Sequence, residues 1–533
     1  MSDTGAETMG RQQGWGTGTS VPNVASLVWD SAERRPEHVA LAGGGQRVTY
    51  AQLRDRAAAV GGAARGAGVG IGDRVLLVGP VVPEWAIAYY GLLAAGATVV
   101  AVNAMSTERE LGYFLEDAGC TLAIADETCG GGALAAATAQ RGVPLWTLAS
   151  GEDLGAQGGG APLTGVHAAA FDDTAVLLYT SGTTGKPKGA QLTHGNLLSA
   201  SDIFAAALRV TGDDTLLCCL PLFHVYGQST VLNPTMQRGA TLIMQTPFEP
   251  TETLRLIGGS GVTIFCGVPT MYNALLHAPA PPGMDLTATL RLAVSGGAPN
   301  PLEVIRGFEQ RFGAVIMEGY GMTETTSAGT FNLLTRPRKV GKVGVALPGV
   351  DVKVVRDDGS ETGVDEPGEV LFGGPTIMKG YWGRPEATAE TLQDGWLRSG
   401  DVATRDADGD IMIVDRKKDM IIRGGYNVYP REIEEVLYEH PEVVEAAVVG
   451  VDDEHYGQEV AAAVVAAAGS TLDAAALRAW MKERVSGYKY PRIIAFVDEI
   501  PKTPSGKLKR REVDLTEAAQ AYRAGRRKAV ERA

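Results

Sequence analysis

A stretch of twelve residues from Tyr179 to Ala190, YTSGTTGKPKGA, combines groups that could bind a polyphosphate. It follows the apolar run Ala175 to Leu178, which is typical of a buried strand. A glycine-rich turn after a strand exposes backbone N–H groups, hydroxyls add donors, and Lys186 and Lys188 supply positive charge. The stretch is not a Walker P-loop, because Pro187 follows Lys186 where that motif requires Ser or Thr. A flexible linker of small polar residues is the alternative, which the two lysines and the preceding strand disfavour.

Five further motifs follow downstream in a fixed order: SGGAP at Ser295–Pro299, EGYGMTE at Glu318–Glu324, SGD at Ser399–Asp401, DRKKDMIIRGG at Asp415–Gly425 and PKTPSGK at Pro501–Lys507. Together with the first stretch they resemble the acyl-adenylate-forming superfamily, which contains acyl-CoA synthetases, luciferases and the adenylation domains of peptide synthetases. The resemblance extends from Val21 to Glu512 and is highly specific at the superfamily level. It implies an acid:CoA ligase that forms an acyl-AMP from ATP, releases pyrophosphate and then transfers the acyl group to the thiol of CoA.

Joining a carboxylate to ATP builds negative charge between two anions, so cations and N–H donors must be in place beforehand. The resemblance implies that the triphosphate is held by Thr180, Ser181, Gly182, Thr183, Thr184, Gly185, Lys186 and Lys188. It also makes Glu324 the carboxylate that binds Mg²⁺, with Thr323 beside it as a hydroxyl donor to phosphate. Such magnesium sites typically use one or two carboxylates together with waters and phosphate oxygens.

The resemblance also assigns the residues around adenosine. Those that flank or face the adenine are Gly297, Ala298, Glu318, Tyr320 and Gly321. Asp401 matches the aspartate that accepts both ribose hydroxyls, and Arg416 resembles its partner on the ribose. Taken alone, the SGGAP segment could equally be a turn between a strand and a helix.

Lys507 lies in a Pro/Ser/Gly loop near the end of the chain, where an exposed lysine is the ordinary interpretation. The resemblance implies that it reaches from a C-terminal domain to the substrate carboxylate and the α-phosphate. A hinge at residues 415–419, with Lys418 as the pivot, would allow one site to serve two half-reactions. Gly424 and Gly425 resemble the segment that lies along the pantetheine of CoA after this rotation.

His224, in PLFHVYG, matches a segment at the carboxylate end of the acyl pocket, although a lone histidine among apolar residues is more often structural. We expect the same pocket to be lined by Tyr226, Gly267, Val268, Met271 and Met322. Gly267 leaves room for an extended aliphatic tail, so medium- or long-chain fatty acids are the predicted substrates. Aryl acids are the alternative, because Tyr226 and the glycines could border a ring.

These residues must be positioned by elements in which apolar strand-like runs alternate with helix-like segments. That alternation predicts mainly parallel α/β sheets, with ligands at the carboxyl ends of the strands. Residues 129–170 lose this periodicity and predict a connector, whereas residues 341–381 carry Gly and Pro among β-branched segments. The predicted fold is therefore α/β, with two related sheet subdomains and a small β-barrel in a large N-terminal domain, followed by a small mobile α+β C-terminal domain.

A chain of 533 residues is longer than one hydrophobic core usually organises. We predict a disordered tail at 1–20, an N-terminal adenylate-forming domain at 21–414, the hinge, a C-terminal lid domain at 420–518 and a basic tail at 519–533. The uncharged stretch Trp85 to Val102 is long enough to span a membrane. Its glycine and its β-branched end favour a helix followed by a buried strand instead, so no integral membrane segment is predicted.

The composition narrows the partners. A net charge of -14 argues against nucleic acid, which requires a basic face. Five cysteines without metal-site spacing predict reduced thiols and a cytoplasmic protein. The expected ligands are a small carboxylic acid, ATP, Mg²⁺ and CoA; an acyl carrier protein thiol or another nucleophile is the alternative acceptor. An inactive nucleotide-binding scaffold is disfavoured because all the charged motif residues are present, and the choice between monomer and homodimer stays open.

Overall fold

The structure is a computed structural model that describes residues 23–126, 131–148, 154–180, 186–416, 419–424, 426–453, 455–503 and 508–530. In the N-terminal domain the helices are α1 (Ser26–Arg34), α2 (Tyr50–Gly66), α3 (Pro83–Ala94), α4 (Glu108–Ala118), α5 (Gly131–Arg141), α6 (His194–Ala207), α7 (Asn233–Arg238), α8 (Pro250–Gly259), α9 (Pro269–His277), α10 (Leu302–Phe312) and α11 (Pro385–Thr391).

The strands of the same domain are β1 (Val39–Gly43), β2 (Gln46–Thr49), β3 (Arg74–Val78), β4 (Thr98–Val102), β5 (Cys120–Asp126), β6 (Leu145–Leu148), β7 (Thr174–Thr180), β8 (Lys188–Thr193), β9 (Thr215–Cys218), β10 (Thr241–Met244), β11 (Ile264–Gly267), β12 (Leu292–Ser295), β13 (Val315–Tyr320), β14 (Thr330–Phe331), β15 (Val345–Ala346), β16 (Asp351–Val355), β17 (Gly368–Gly373), β18 (Gly380–Tyr381), β19 (Leu392–Gln393), β20 (Trp396–Arg405) and β21 (Ile411–Arg416).

The first sheet has seven strands in the order β18-β8-β7-β4-β3-β5-β6. Its central strands are parallel, and β4 is buried along its whole length, as its run of β-branched residues requires. The uncharged stretch Trp85 to Val102 forms part of α3 and then β4, which confirms a helix followed by a strand. Within the described residues, no helix is both long enough and apolar enough to cross a membrane.

The predicted connector at residues 129–170 is corrected in part, because it contains α5 and the edge strand β6. The strand β6 pairs in parallel with β5 and buries Trp146 and Leu148. Helix α5 is rich in alanine and glycine and buries little besides Leu134, Ala137 and Thr138. A helix with so few large apolar residues has a weak periodic signal in the sequence.

The second sheet has nine strands in the order β15-β14-β13-β12-β11-β9-β10-β1-β2. The strands from β1 to β13 along this path are parallel, so both halves of the domain are helix-covered parallel sheets as predicted. The threonines predicted to cap helices do so, since Thr49 and Thr193 each form a capping box with the side chain three residues later.

A third sheet is antiparallel, with the order β16-β17-β20-β19 and with β21 also paired to β20. This sheet contains strands from the region predicted as a small β-barrel. Two other strands of that region belong to other sheets, because β15 joins the nine-stranded sheet and β18 joins the seven-stranded one.

The C-terminal domain contains α12 (Pro430–Tyr438), α13 (Ala474–Lys482), α14 (Thr516–Val530), β22 (Ile421–Arg423), β23 (Tyr426–Val428), β24 (Val443–Asp453), β25 (Gly457–Ala466) and β26 (Ile493–Phe496). Its five strands form one sheet, in which β26 is parallel to β25. The basic tail predicted from residue 519 is corrected, because residues 516–530 form α14. Leu515 and Ala519 are buried against Ala461 and Ile493, which fastens this helix to the sheet.

Candidate active site

A cavity of about 1630 Å³ lies between the two domains, and its lining contains most of those predicted ligand-binding residues that the structure describes. It opens at the carboxyl ends of β7, β12 and β13, where Thr180, Ser295 and Tyr320 face it. Ligands bind at this edge of α/β sheets because loops and helix N-termini converge there. The C-terminal domain forms the opposite wall, so both domains contribute to one site.

Glu324 lines the cavity and connects the two large sheets. It lies in a short helical turn after β13 and is only 6% exposed to solvent. One carboxylate oxygen accepts a hydrogen bond from the hydroxyl of Tyr381 at 2.8 Å and lies 3.4 Å from the hydroxyl oxygen of Thr180. Thr323 also lines the cavity, as the resemblance implies. The arrangement presents a buried negative charge beside the predicted phosphate-binding segment.

Lys186 and Lys188 belong to that segment, and the ammonium group of each lies over an aromatic ring. The Lys186 nitrogen lies 5.4 Å from the ring centre of Tyr113, and the Lys188 nitrogen lies 5.2 Å from that of Tyr381. Such cation–π contacts restrain a lysine without neutralising its charge. The predicted residues Ser181, Gly182, Thr183, Thr184 and Gly185 lie outside the described residues.

The predicted adenosine residues surround another part of the cavity. Gly297, with φ +82°, and Ala298 line it after β12, and Gly321 lines it after β13. The Tyr320 ring packs against Phe372 at 5.7 Å between ring centres, and its hydroxyl donates to the carboxylate of Asp401. The sequence assigned Tyr320 to the adenine and Asp401 to the ribose, and it did not predict that these two side chains touch.

Two further residues are predicted to contact the adenosine, Arg416 and Glu318. Arg416 pairs with Asp401 in the antiparallel ladder of β20 and β21, and its backbone alone is described. Glu318 is 4% exposed; one carboxylate oxygen lies 3.4 Å from the Asn300 backbone nitrogen, and the other has no hydrogen-bond partner in the described part of the chain. Burial raises the pKa of Glu318 to about 7, while the positive charge of Arg431 opposes the shift.

His224 and Tyr226 form the wall where the acid is expected to lie. The Nδ1 atom of His224 accepts the backbone N–H of Tyr226 at 3.1 Å, so the neutral ring carries its proton on Nε2. The hydroxyl of Tyr226 donates to the carbonyl oxygen of Val294 at 2.8 Å, and burial raises its pKa. Its ring lies against Gly296, where an added Cβ would come within 3.3 Å of the ring. The sequence motif thus produces a fixed aromatic wall beside a histidine N–H donor.

Sequence reasoning missed a pair of hydroxyls in the same cavity. The side-chain oxygens of Thr230 and Ser327 are 3.0 Å apart. Thr230 lies in a π-helical turn over Tyr226–Leu232, and Ser327 has a left-handed backbone with φ +70°. A π-helical turn changes which side chains face inward, so the sequence period gives no signal for Thr230, and Ser327 lies outside any helix or strand.

The predicted acid-pocket residues are not all on the cavity surface. Met322 lines it with His224 and Tyr226, but Gly267, Val268 and Met271 are not among its lining residues. A Cβ at Gly267 would lie 2.9 Å from the ring of Phe265, so core aromatics already fill the space that the missing side chain leaves. The expected room for an aliphatic tail behind Gly267 is therefore corrected.

The C-terminal domain brings the ends of the Lys507 segment to the cavity. Thr503 and Leu508 both line it, and Lys502 pairs with Leu508 in an antiparallel bridge. Lys507 and the proposed pivot Lys418 lie outside the described residues.

Arg510 follows shortly after and donates to Glu434 of the same domain at 2.8 Å and to Asp415, at the start of the proposed hinge, at 3.3 Å. Both carboxylates are almost fully buried, and together they raise the pKa of Arg510 despite its own burial. An ion pair between the C-terminal domain and the first residue of the hinge thus helps to hold this conformation.

The candidate CoA segment lies elsewhere in this conformation. Gly424 has φ +57° in the turn between β22 and β23, and its N–H donates to the carbonyl of Tyr456 at 2.8 Å. It does not line the cavity, and Gly425 is outside the described residues. A role for Gly424 in thioester formation would therefore require the domain to move.

Comparisons with known proteins agree with this architecture. The sequence model of the AMP-binding enzyme family matches residues 28–382, and that of the AMP-binding enzyme C-terminal domain matches residues 432–507. The feruloyl-CoA synthase of Amycolatopsis sp is 40% identical over 90% of this chain and 96% of its own. The long-chain-fatty-acid–CoA ligase of Bacillus subtilis (strain 168) is 36% identical over 92% and 94%.

A solved structure extends the similarity to three dimensions. The crystal structure of ATP-bound MatB from Rhodopseudomonas palustris superposes with a TM-score of 0.86 at 33% identity, covering 92% of this chain and 98% of that one. The family match, the relatives and the cavity agree with each other. The chain therefore belongs to the AMP-binding enzyme family and is an AMP-forming acid:CoA ligase.

Proposed function

We propose that the enzyme activates an aryl carboxylic acid, binding its carboxylate near His224 and its ring beside Tyr226. The observation that carries this proposal is that Tyr226 lines the cavity and is fixed there by its hydrogen bond to Val294 and by its packing on Gly296. A planar acyl group can stack against an aromatic ring that forms a wall of the cavity. Offset stacking places the two ring centres about 4.5 to 7 Å apart. The 40% identity to a feruloyl-CoA synthase supports the same substrate class.

A medium- or long-chain fatty acid is the second candidate. The 36% identity to a long-chain-fatty-acid–CoA ligase favours it, and the cavity is large enough for more than the nucleotide. The structural argument for a long tail is weaker, because Phe265 fills the space beside Gly267. The hydroxyls of Thr230 and Ser327 would also face a purely aliphatic chain without forming hydrogen bonds to it.

In the first half-reaction, we propose that Thr180, Lys186 and Lys188 hold the departing phosphates and that Lys507 neutralises the charge at the α-phosphate. His224 lines the cavity with its proton on Nε2, and we propose that this N–H orients the attacking carboxylate. The aspartate and tyrosine that touch each other, Asp401 and Tyr320, position the ribose and the adenine.

The residues around Glu324 fit a magnesium ion bound mainly through phosphate. Glu324 supplies one buried carboxylate, and no group of three or more His, Cys, Asp or Glu side chains among the described residues could hold a metal by itself. Mg²⁺ typically binds one or two carboxylates and keeps phosphate oxygens and waters as its other ligands. When bound, the ion would neutralise charge on the triphosphate, and Tyr381 would keep Glu324 in position.

For the second half-reaction, we propose that rotation about the hinge at residues 415–419 replaces the Lys507 segment with the Gly424–Gly425 segment. CoA is the proposed acceptor, in keeping with the relatives named above. An acyl carrier protein as acceptor and a cytoplasmic location stay predictions.

The test is magnesium-dependent release of pyrophosphate from ATP, measured with ferulate, cinnamate, benzoate and the straight-chain acids from acetate to palmitate, with and without CoA. We expect the highest kcat/KM with an aryl acid and an aryl-CoA product by mass spectrometry. A higher kcat/KM for a long-chain acid than for every aryl acid would overturn the substrate proposal. Acyl-AMP formation that CoA does not stimulate would instead favour another acceptor.

A variant refines this test. Thr230→Val removes one hydroxyl with little change in volume, so the two acids of interest can be compared on the same protein. We expect it to lower kcat/KM for ferulate, which has a ring hydroxyl, more than for cinnamate, which has none. Equal effects on both acids would separate the hydroxyl pair from substrate recognition.

A further inference from the structure

A buried carboxylate outside the cavity connects to the phosphate-binding segment, residues 180–188, just before its start and near its end. Asp117, at the end of α4, has a side chain only 8% exposed. Its carboxylate accepts the hydroxyl of Tyr179 at 2.8 Å, lies 3.2 Å from the hydroxyl of Tyr113, and forms an ion pair with Arg384. Its backbone carbonyl accepts the indole N–H of Trp382 at 3.2 Å. We call these five residues the Asp117 cluster.

The cluster contacts the segment at its beginning and at its end. Tyr179 directly precedes Thr180, and its ring would lie 3.3 Å from a Cβ at Gly189. On the far side, the Tyr113 hydroxyl lies 2.7 Å from the carbonyl oxygen of Pro187, which separates the two lysines. The same Tyr113 ring lies under the ammonium group of Lys186.

We propose that Asp117 is a positioning residue for ATP, which acts through Tyr113 and Tyr179 to hold Thr180 and Lys186 in place before the triphosphate arrives. A lysine that is already ordered loses less side-chain entropy when it binds an anion, so preorganisation favours both affinity and charge stabilisation. The negative charge of Asp117 does not oppose the phosphates strongly, because Arg384 is paired with it. This inference rests on the proposed assignment of Thr180 to Lys188 as the phosphate-binding segment.

Comparing the two half-reactions distinguishes a positioning role of Asp117 from a purely structural one. Only the first half-reaction contains the β- and γ-phosphates; the second begins from acyl-AMP and CoA. Weakening the Asp117 cluster should therefore impair adenylation and leave thioester formation from supplied acyl-AMP unaffected.

The primary variant is Asp117→Asn, which keeps the size of the side chain and removes its charge. We expect kcat/KM for ATP in pyrophosphate exchange to fall about tenfold or more, as for loss of a hydrogen bond to a charged group. Thioester formation from CoA and the acyl-AMP of the best acid in the panel should stay within about twofold on the same scale.

Asp214→Asn is the matched control. Asp214 is also buried and accepts hydrogen bonds from an arginine and from hydroxyls. It directly precedes β9, at the amino ends of the parallel strands of the nine-stranded sheet. Equal losses of both half-reactions in the two variants, or unchanged ATP kinetics in Asp117→Asn, would overturn the proposal.

A double-mutant cycle with Lys186→Ala separates this inference from the assignment of the segment. If Asp117 acts through Lys186, Asp117→Asn should lower kcat/KM for ATP clearly less in the Lys186→Ala background than in the parent protein. Fully additive effects would overturn the route through Lys186. If Lys186→Ala leaves ATP kinetics unchanged, the phosphate assignment itself fails; if it is impaired while Asp117→Asn is not, the positioning role alone fails.

Discussion

Replacing Glu318 with glutamine should make the protein more stable above neutral pH and change its stability much less in mild acid. The Glu318 carboxyl is 4% exposed, and one of its oxygens has no hydrogen-bond partner among the described residues. Burial raises its pKa from the ordinary 4.5 to about 7, against the opposing charge of Arg431 and the Asn300 backbone N–H. Ionising this group in the folded protein is therefore costly.

The sign and the size follow from this shift. Between pH 4.5 and about 7 the folded protein keeps the Glu318 proton while the unfolded chain has lost it. The unfolding free energy therefore falls as the pH rises through this window, and it falls no further once the folded carboxyl has also ionised. At 1.36 kcal/mol for each pKa unit, the full loss is about 3 kcal/mol. Glutamine cannot ionise, so the variant should avoid this loss.

The assay is urea unfolding of the full chain, at about pH 5 and about pH 8, where the two forms of the carboxyl bracket the titration. We expect the midpoint of Glu318→Gln to exceed that of the parent clearly at the higher pH and much less at the lower pH, where only a small part of the loss has developed. Glu366→Gln is a control of opposite sign, because Arg356 lowers the pKa of exposed Glu366, and its contribution is lost as the pH falls. A Glu318→Gln effect of equal size at both pH values would refute the reasoning.

Three further predictions concern residues in and near the site. Arg510→Gln should destabilise the C-terminal domain by about 3 kcal/mol or more, because it removes the cation that pairs with two buried carboxylates; thermal unfolding measures the loss, and pyrophosphate exchange should fall more than thioester formation. Gly267→Ala should cost about 1 to 3 kcal/mol in unfolding free energy through its contact with Phe265, with no change in chain-length preference. Tyr381→Phe should weaken the response to Mg²⁺ by about 0.5 to 1.5 kcal/mol, as one hydrogen bond to Glu324 is lost, measured as the magnesium concentration for half-maximal activity.

Each of these has a contrary outcome. Equal losses of both half-reactions in Arg510→Gln would remove its link to the Lys507 segment. A shift of Gly267→Ala towards shorter acids would return that residue to the acyl pocket. An unchanged magnesium response in Tyr381→Phe would mean that the tyrosine does not position Glu324.

The chemistry of this protein was predictable from the sequence because its motifs are short and local. The alternation of apolar strands with helices predicted the parallel sheets, and threonines at the start of helices predicted the caps that the structure contains. The order of the motifs indicated the family, which the comparisons confirm. The substrate and the individual roles of the site residues stay predictions.

Other features depend on residues that are far apart in the chain and meet only after folding. Glu324 contacts Thr180, 144 positions away, and Asp117 pairs with Arg384, 267 positions away. The direction of a missing side chain is also invisible in a sequence, and this is why Gly267 was expected to open a pocket that Phe265 fills. Local spacing determines which groups a segment carries, whereas the register and packing of distant elements decide which of those groups face one another.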